Sequence, residues 1–263
     1  MLPAMNSLRE LRRFTPIAAC RFSAFVSAAL FSTAFISIPL QSQIPLPLPA
    51  QTPDEATVIR GVDAAVHHRV DSIAGYTVTE SYKLFRGSDL THPAAEMTVQ
   101  TTYSRETGKS YKILSEDGSH ILRSAVFSPL LDNEQRINLP GNVEASWLIS
   151  ANYEMRLQPG GQQQINGRAC YALAIHPRQK MPNLIEGTLW VDARDYGIVK
   201  IEGHGSRSAS WITFPSQVMR VYEPIDGFAM ATHAKAVAES DLLGPTTVTI
   251  DYTDYKIRLL QPH

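Results

Sequence analysis

The spacing of apolar residues changes period once, near Gly75. Before it, Val58, Ile59, Val62, Ala65, Val66, Val70 and Ile73 recur at three- and four-residue steps and predict one face of a helix over 53–73. Thr52 suits the cap, Pro53 the first helical position and Glu55 the place three residues after the cap. Gly75 suits the exit. After Gly75 the period is two. Tyr76, Val78, Glu80, Tyr82 and Leu84 alternate with mostly polar partners over 76–85, and Met97, Val99, Thr101 and Tyr103 do the same over 95–105. Turn signals at 106–108 (ETG) and 116–118 (EDG) bracket a third strand over 109–115.

Residues 128–150 break that rhythm. Pro129 stands near a helix start in SPLLDNEQR, which predicts a short helix over 128–136; NLPGN is a loop and Trp147 lies beyond it. Strand spacing resumes over 152–158, and Asn166-Gly167 is a hairpin signal ahead of 169–177. In EGTLWVDARDYGIVKIEG (186–203) two apolar arms, 184–192 and 197–203, flank a turn supplied by Asp192, Asp195 and Gly197. Further strands are predicted over 209–214, 216–224, 228–240 and 246–257. In FAMATHAKAVAES (228–240) the alanines suit a helix, while the alternation and the neighbours argue for a strand.

No helix separates strands in a repeating βαβ pattern. The expected class is therefore α+β: a curved antiparallel sheet of about 10–11 strands, an incomplete β-barrel, covered by the long N-terminal helix and a short second one. A meander that curls but stays open leaves a concave apolar face, and a helix over it leaves a cavity. Alternation places Val62 and Val66 of the helix, with Tyr76, Val78, Tyr82, Leu84, Val99, Tyr103, Trp147, Trp190, Ile201 and Trp211, around that cavity.

Charge sharpens the N-terminal picture. The 263 residues carry 24 Lys and Arg against 25 Asp and Glu, but Arg9, Arg12, Arg13 and Arg21 face only Glu10 in the first 22. An uncharged run, SAFVSAALFSTAFISIPL (23–40), and then a Pro-rich stretch follow. Basic, apolar, polar is the order of an export signal, with cleavage expected between Leu40 and Gln51; an uncleaved inner-membrane anchor over 23–40 is the alternative. The expected organisation is a signal or anchor over 1–42, a linker over 43–52 and one domain over 53–258. IAAC (17–20) imitates a lipoprotein signal, but the apolar run follows Cys20 instead of preceding it. Removal of the signal leaves Cys170 alone, so no internal disulfide is expected. No basic patch points to nucleic acid.

Catalytic and metal motifs do not emerge. His67 and His68 would point about 100° apart on a helix, and the other six histidines are scattered, without HExxH or paired cysteines. GHGSRS (203–208) is not a nucleophile elbow, which needs a strand-to-helix turn in a parallel sheet. Glu186, Asp192, Asp195 and Glu202 cluster near one hairpin, where turn chemistry accounts for two of them. No cofactor, metal or catalytic set is expected.

NYEMRL, INGRACYALAIHP, the LWVD–turn–IVKIEG hairpin, ASW and VTIDYTDYKI, spread over Asn152 to Ile257, resemble bacterial outer-membrane lipoprotein-sorting proteins of the LolA/LolB-like superfamily. The resemblance implies a helix-closed incomplete barrel in the cell envelope, whose interior holds the acyl chains of a lipid or lipoprotein without catalysis. Its expected partners are a lipid or acylated lipoprotein and an envelope membrane receptor. Two other readings stay open: a structural or sensing module with a self-filled core, and a serine hydrolase using GHGS.

Overall fold

A computed structural model of the chain describes residues 53–181, 184–205, 217–239 and 244–261. The export segment, the linker, Thr52, the strand expected over 209–214 with Trp211, and Ser206 to Ser208 lie outside the described residues.

Helix α1 (Glu55–Ser72) is capped by Asp54, whose carboxylate accepts from the Thr57 backbone N–H at 2.6 Å. Its start therefore falls after Pro53. The expected exit at Gly75 is also displaced. Ile73 is already extended and opens β1 (Ile73–Arg86) with no intervening loop. Gly75 serves the strand instead: a Cβ there would lie 2.5 Å from the carbonyl oxygen of Tyr103 on the neighbouring strand.

β2 (Ala95–Ser104) and β3 (Gly108–Gly118) complete the first meander, and the EDG expected as a turn extends β3 to pair Gly118 with Ala95. The second helix is longer than its sequence signal. A turn, α2 (His120–Leu122), runs through a π-helical stretch (Arg123–Phe127) into α3 (Ser128–Ile137), and a 3-10 turn (Val143–Ser146) follows. Then come β4 (Tyr153–Leu157), β5 (Gln163–Ile165), β6 (Arg168–Pro177), β7 (Ile185–Asp192), β8 (Ile198–Gly205), β9 (Gln217–Ile225), β10 (Phe228–Ala238) and β11 (Thr246–Leu259). The alanine-rich segment is thus strand β10, because it pairs on both sides, with β9 and β11.

The eleven strands form one curved antiparallel sheet in the order β3-β2-β1-β11-β10-β9-β8-β7-β6-β4, with β5 also on β6. The sheet is open: β3 is one edge, and the short β4 and β5 make the other. Bulges in the β1–β11, β2–β3, β7–β8 and β9–β10 pairs add twist and curl. Residues 119–152, carrying α2 and α3, lead from one edge strand to the other.

The β7–β8 hairpin shows how local sequence fixes register. Gly187 and Gly203 are direct partners, and a Cβ on either would fall 2.1 Å or 2.0 Å from the opposing Glu202 or Glu186 carbonyl oxygen. The paired Glu-Gly dipeptides therefore mark one close backbone approach. Three apolar clusters fill the concave side. The largest joins Val58, Val62 and Val66 of α1 to β4, β6, β7 and β8. A second packs Leu122, Phe127 and Leu131 on β1 and β2. A small third one holds Ile73, Phe228 and Met230.

Helix α1 is seated by a notch. Tyr196, at a left-handed φ of 58° in the β7–β8 turn, lays its ring over Gly61. A Cβ at Gly61 would sit 2.3 Å from Tyr196 Cδ2 and 2.4 Å from Cγ, near the root of the side chain, where rotation gives little relief. Alanine improves intrinsic helix propensity by about 1 kcal/mol. Overpacking opposes it by about 1–3 kcal/mol. Gly61→Ala is thus expected to lower stability in urea titrations, and Tyr196→Gly in the same background to reverse much of the loss. A Gly61→Ala protein as stable as the parent would refute the notch.

Candidate functional site

Where the three clusters meet, the packing leaves a cavity of about 510 Å³. One wall is the inner face of β1, β8, β9, β10 and β11. The other is α1 with Val66 and Val70, α3 with Leu130 and Ile137, and the 3-10 segment with Val143 and Trp147. The helix is held over the sheet by polar ties outside the cavity. Asp63 accepts from the backbone N–H and the hydroxyl of Ser150 at 2.8 and 2.6 Å, and Glu55 accepts from the Leu157 N–H at 2.9 Å.

Among the residues that alternation put around a cavity, Val66, Tyr76, Val78, Tyr82, Tyr103, Trp147 and Ile201 line this one. Val62, Leu84 and Val99 face the same side of the sheet but are closed off inside packed clusters. Trp190 requires a correction. Leu189 and Val191 are buried on the concave face, so Trp190 between them points outward. There it lies beneath the Lys200 ammonium, 5.0 Å from the ring centre, and donates Nε1–H to Gln163 at 3.0 Å. Trp211 lies outside the described residues.

The wall is not uniformly apolar, which alternation alone did not suggest. Glu80 of β1 is 2% exposed and accepts from the Tyr82 hydroxyl at 2.5 Å. Lys109 of β3 reaches Glu134 of α3 at 2.9 Å and Glu80 at 3.6 Å. Burial alone would depress the Lys109 pKa, but Glu134 and Glu80 overcome it and hold the ammonium well above the ordinary lysine value. Burial would likewise raise Glu134, and Lys109 with Arg220 outweighs it, so its carboxyl lies below the usual range. Burial pushes the Tyr82 and Tyr252 phenols well up and that of Tyr153 up to about 12, so all three are neutral hydroxyls at pH 7. Across the cavity Arg220 of β9 has its Nε buried without a hydrogen-bond acceptor. The lining includes five cations (Arg69, Lys109, Arg168, Arg220 and Lys235) but only three carboxylates, Glu80, Glu134 and Asp195. A second space of about 10 Å³, near the lower limit for one water, lies against the Glu80–Lys109–Glu134 group.

Sequence reasoning missed this polar group because its members come from four separate elements. One signal was available: Glu80 stands in the apolar phase of β1, between Val78 and Tyr82. His68 also reaches the cavity and stacks on Phe228 at 5.5 Å, while His67 meets Trp147 edge-on. Among the described residues no three His, Cys, Asp or Glu side chains group as metal ligands, and no helix is long and apolar enough to cross a membrane.

No family model matches the chain, and no curated protein matches it either. Solved structures similar to it include a LolA superfamily protein from Nitrosomonas europaea (TM-score 0.44, 13% identity, covering 78% of this chain and 94% of that one). A putative outer membrane lipoprotein-sorting protein domain from Vibrio parahaemolyticus is similar at TM-score 0.42 and 11% identity (76% and 93% covered). A DUF1329 family protein from Desulfovibrio piger is similar at TM-score 0.39 and 16% identity (76% and 92% covered).

Proposed function

We propose that this chain is an exported cell-envelope protein that shelters the acyl chains of a lipid or lipoprotein between α1 and the sheet, as a carrier and not a catalyst. The cavity carries this reading. Its volume of about 510 Å³ falls within the range of about 300–1,000 Å³ usual for small-molecule sites. Much of its wall is aliphatic or aromatic: Val66, Val70, Ile73, Val78, Ile137 and Met230 among others. Sheltering a fatty tail from water is worth about 0.8 kcal/mol per methylene, so affinity needs no chemical step. A core filled by the protein's own side chains, the other structural reading, sits poorly with a space of that size. The N-terminal charge pattern and the resemblance over Asn152 to Ile257 point the same way on export and envelope location. An envelope receptor is a natural recipient for such cargo.

Native mass spectrometry of the protein purified from its own envelope tests the reading. The expected result is an added mass released by organic extraction and identified as a lipid or an acylated protein. A clean polypeptide mass after gentle extraction would overturn it.

A further inference from the structure

If the cavity takes an amphiphile, its polar wall says which kind. We propose that Arg220 receives an anionic headgroup, a carboxylate or a phosphate, while the chain occupies the aliphatic part of the same cavity. The inference rests on the acyl-binding reading and adds the headgroup chemistry.

The charges are unevenly committed. Lys109 is engaged by Glu134 and Glu80 at 2.9 and 3.6 Å, and Glu80 also holds the Tyr82 hydroxyl. Arg168 is held by the buried Asp192 at 2.7 Å, which meets its charge although its Nη1 is also buried without an acceptor. Arg220 has no ion-pair partner among the described residues. The guanidinium donates a hydrogen bond to the Tyr222 hydroxyl, and its other electrostatic neighbours are Tyr252 and Glu134, of which Glu134 already binds Lys109. A buried guanidinium Nε–H without an acceptor is unfavourable unless something supplies one. Glu80 also has an oxygen without a hydrogen bond, but that residue borders the small water-sized space. Arg220 borders the large cavity.

The sign of the missing partner follows from the wall as a whole. With Arg168 matched by Asp192, the four other cations of the lining, Arg69, Lys109, Arg220 and Lys235, outnumber its three carboxylates by one. An anion on Arg220 relieves that excess in a poorly screened site, and a planar guanidinium suits both carboxylate and phosphate oxygens. An amphiphile with an uncharged head leaves the imbalance in place.

The test measures binding of palmitate, hexadecyl phosphate and hexadecanol to the full chain by calorimetry at one ionic strength. All three share one chain length. Palmitate or hexadecyl phosphate is expected to bind about tenfold or more tighter than hexadecanol, the size of one charge-assisted contact. Whichever acid is preferred identifies a free fatty acid or a phosphorylated lipid as the source. Arg220→Gln is expected to erase that preference by weakening the two acids far more than hexadecanol, and Arg220→Lys to retain part of it. Equal binding of acid and alcohol by the unmodified protein would overturn the headgroup inference and leave the acyl reading standing. So would a preference that survives in Arg220→Gln. Should Arg220→Gln fail to fold, Arg220→Lys decides, and an undiminished preference in it counts against the guanidinium. Failure of all three ligands to bind would overturn the acyl reading itself.

Discussion

Lys109→Met is expected to destabilise the protein by about 3–5 kcal/mol, the scale of removing one partner from a buried ion pair. For a folded region of this size that is a fall of roughly 10 °C in Tm. Lys109 is the ion-pair partner of both Glu134 and Glu80, and its side chain is only 12% exposed. Methionine preserves much of the bulk and removes the charge. The two carboxylates then share a poorly solvated site, and one of them must take up a proton. This gives the loss a pH signature. In the parent, the Glu134 pKa is depressed, so its contribution is present above the ordinary carboxylate value and fades as pH falls through the folded value. In Lys109→Met the surviving carboxyls are raised, so stability should partly recover on acidification. Glu80→Gln added to Lys109→Met should recover part of the loss at pH 7. Urea titrations between pH 4 and 8 read all three outcomes, and a Lys109→Met variant with unchanged midpoints would show that the buried ion pair contributes no net stability.

Asp192→Ala should cost about the same, about 3–5 kcal/mol, through the other buried ionic knot. Asp192 is 1% exposed. Its carboxylate accepts from Arg168 Nε at 2.7 Å and from the Arg194 backbone N–H at 2.8 Å. Alanine leaves Arg168, one of whose terminal nitrogens is already buried without an acceptor, with no partner but Asp195 at 4.0 Å. It also unties the turn that positions Tyr196 on Gly61, so α1 should loosen with the hairpin. Burial acts to raise the Asp192 pKa, and the bonds from Arg194 and Arg168 reverse the direction, holding it low. Stability linked to it is therefore complete above the unfolded aspartate value, near 3.9, and lost as pH falls below it. An acid titration of Asp192→Ala should be flatter than the parent's in that window. Faster amide exchange across α1, with β1 to β3 unaffected, would locate the damage; protection unchanged in α1 would show that the turn does not hold the helix.

The strands were legible where a period of two met clear punctuation. Asn166, with φ 49°, and Gly167 turn where the dipeptide says they should, and Asp192 to Gly197 make the turn between β7 and β8. The errors came from information that is not local. Thr52 and Asp54 are both good caps, and only the placement of the first turn decides between them. Strand β5 is three residues long and exists because β6 offers it a partner. Alternation puts Trp190 inward only if its phase is read from Trp190 itself, whereas the inward phase of β7 is set by Leu189 and Val191. The cavity was legible as a consequence of curvature, and seven of the twelve named positions border it. Its polar half was not, since Glu80, Lys109, Glu134 and Arg220 meet only once β1, β3, α3 and β9 are assembled.

The pairing of β1 with β11 governs how the chain can be built. Tyr82 sits opposite Ile250 and Arg86 opposite Thr246, so the middle of the sheet joins the earliest strand to the last. A ribosome that has delivered everything through Ala238 has made β1 and β10 but not the strand that belongs between them. Each nascent part then carries an unsatisfied edge, a known hazard for intermolecular pairing. Contacts between such distant segments also make folding slow. The seam can zip only after β11 has been made, and a chaperone that keeps β1 and β10 apart until β11 arrives would raise the yield of native protein.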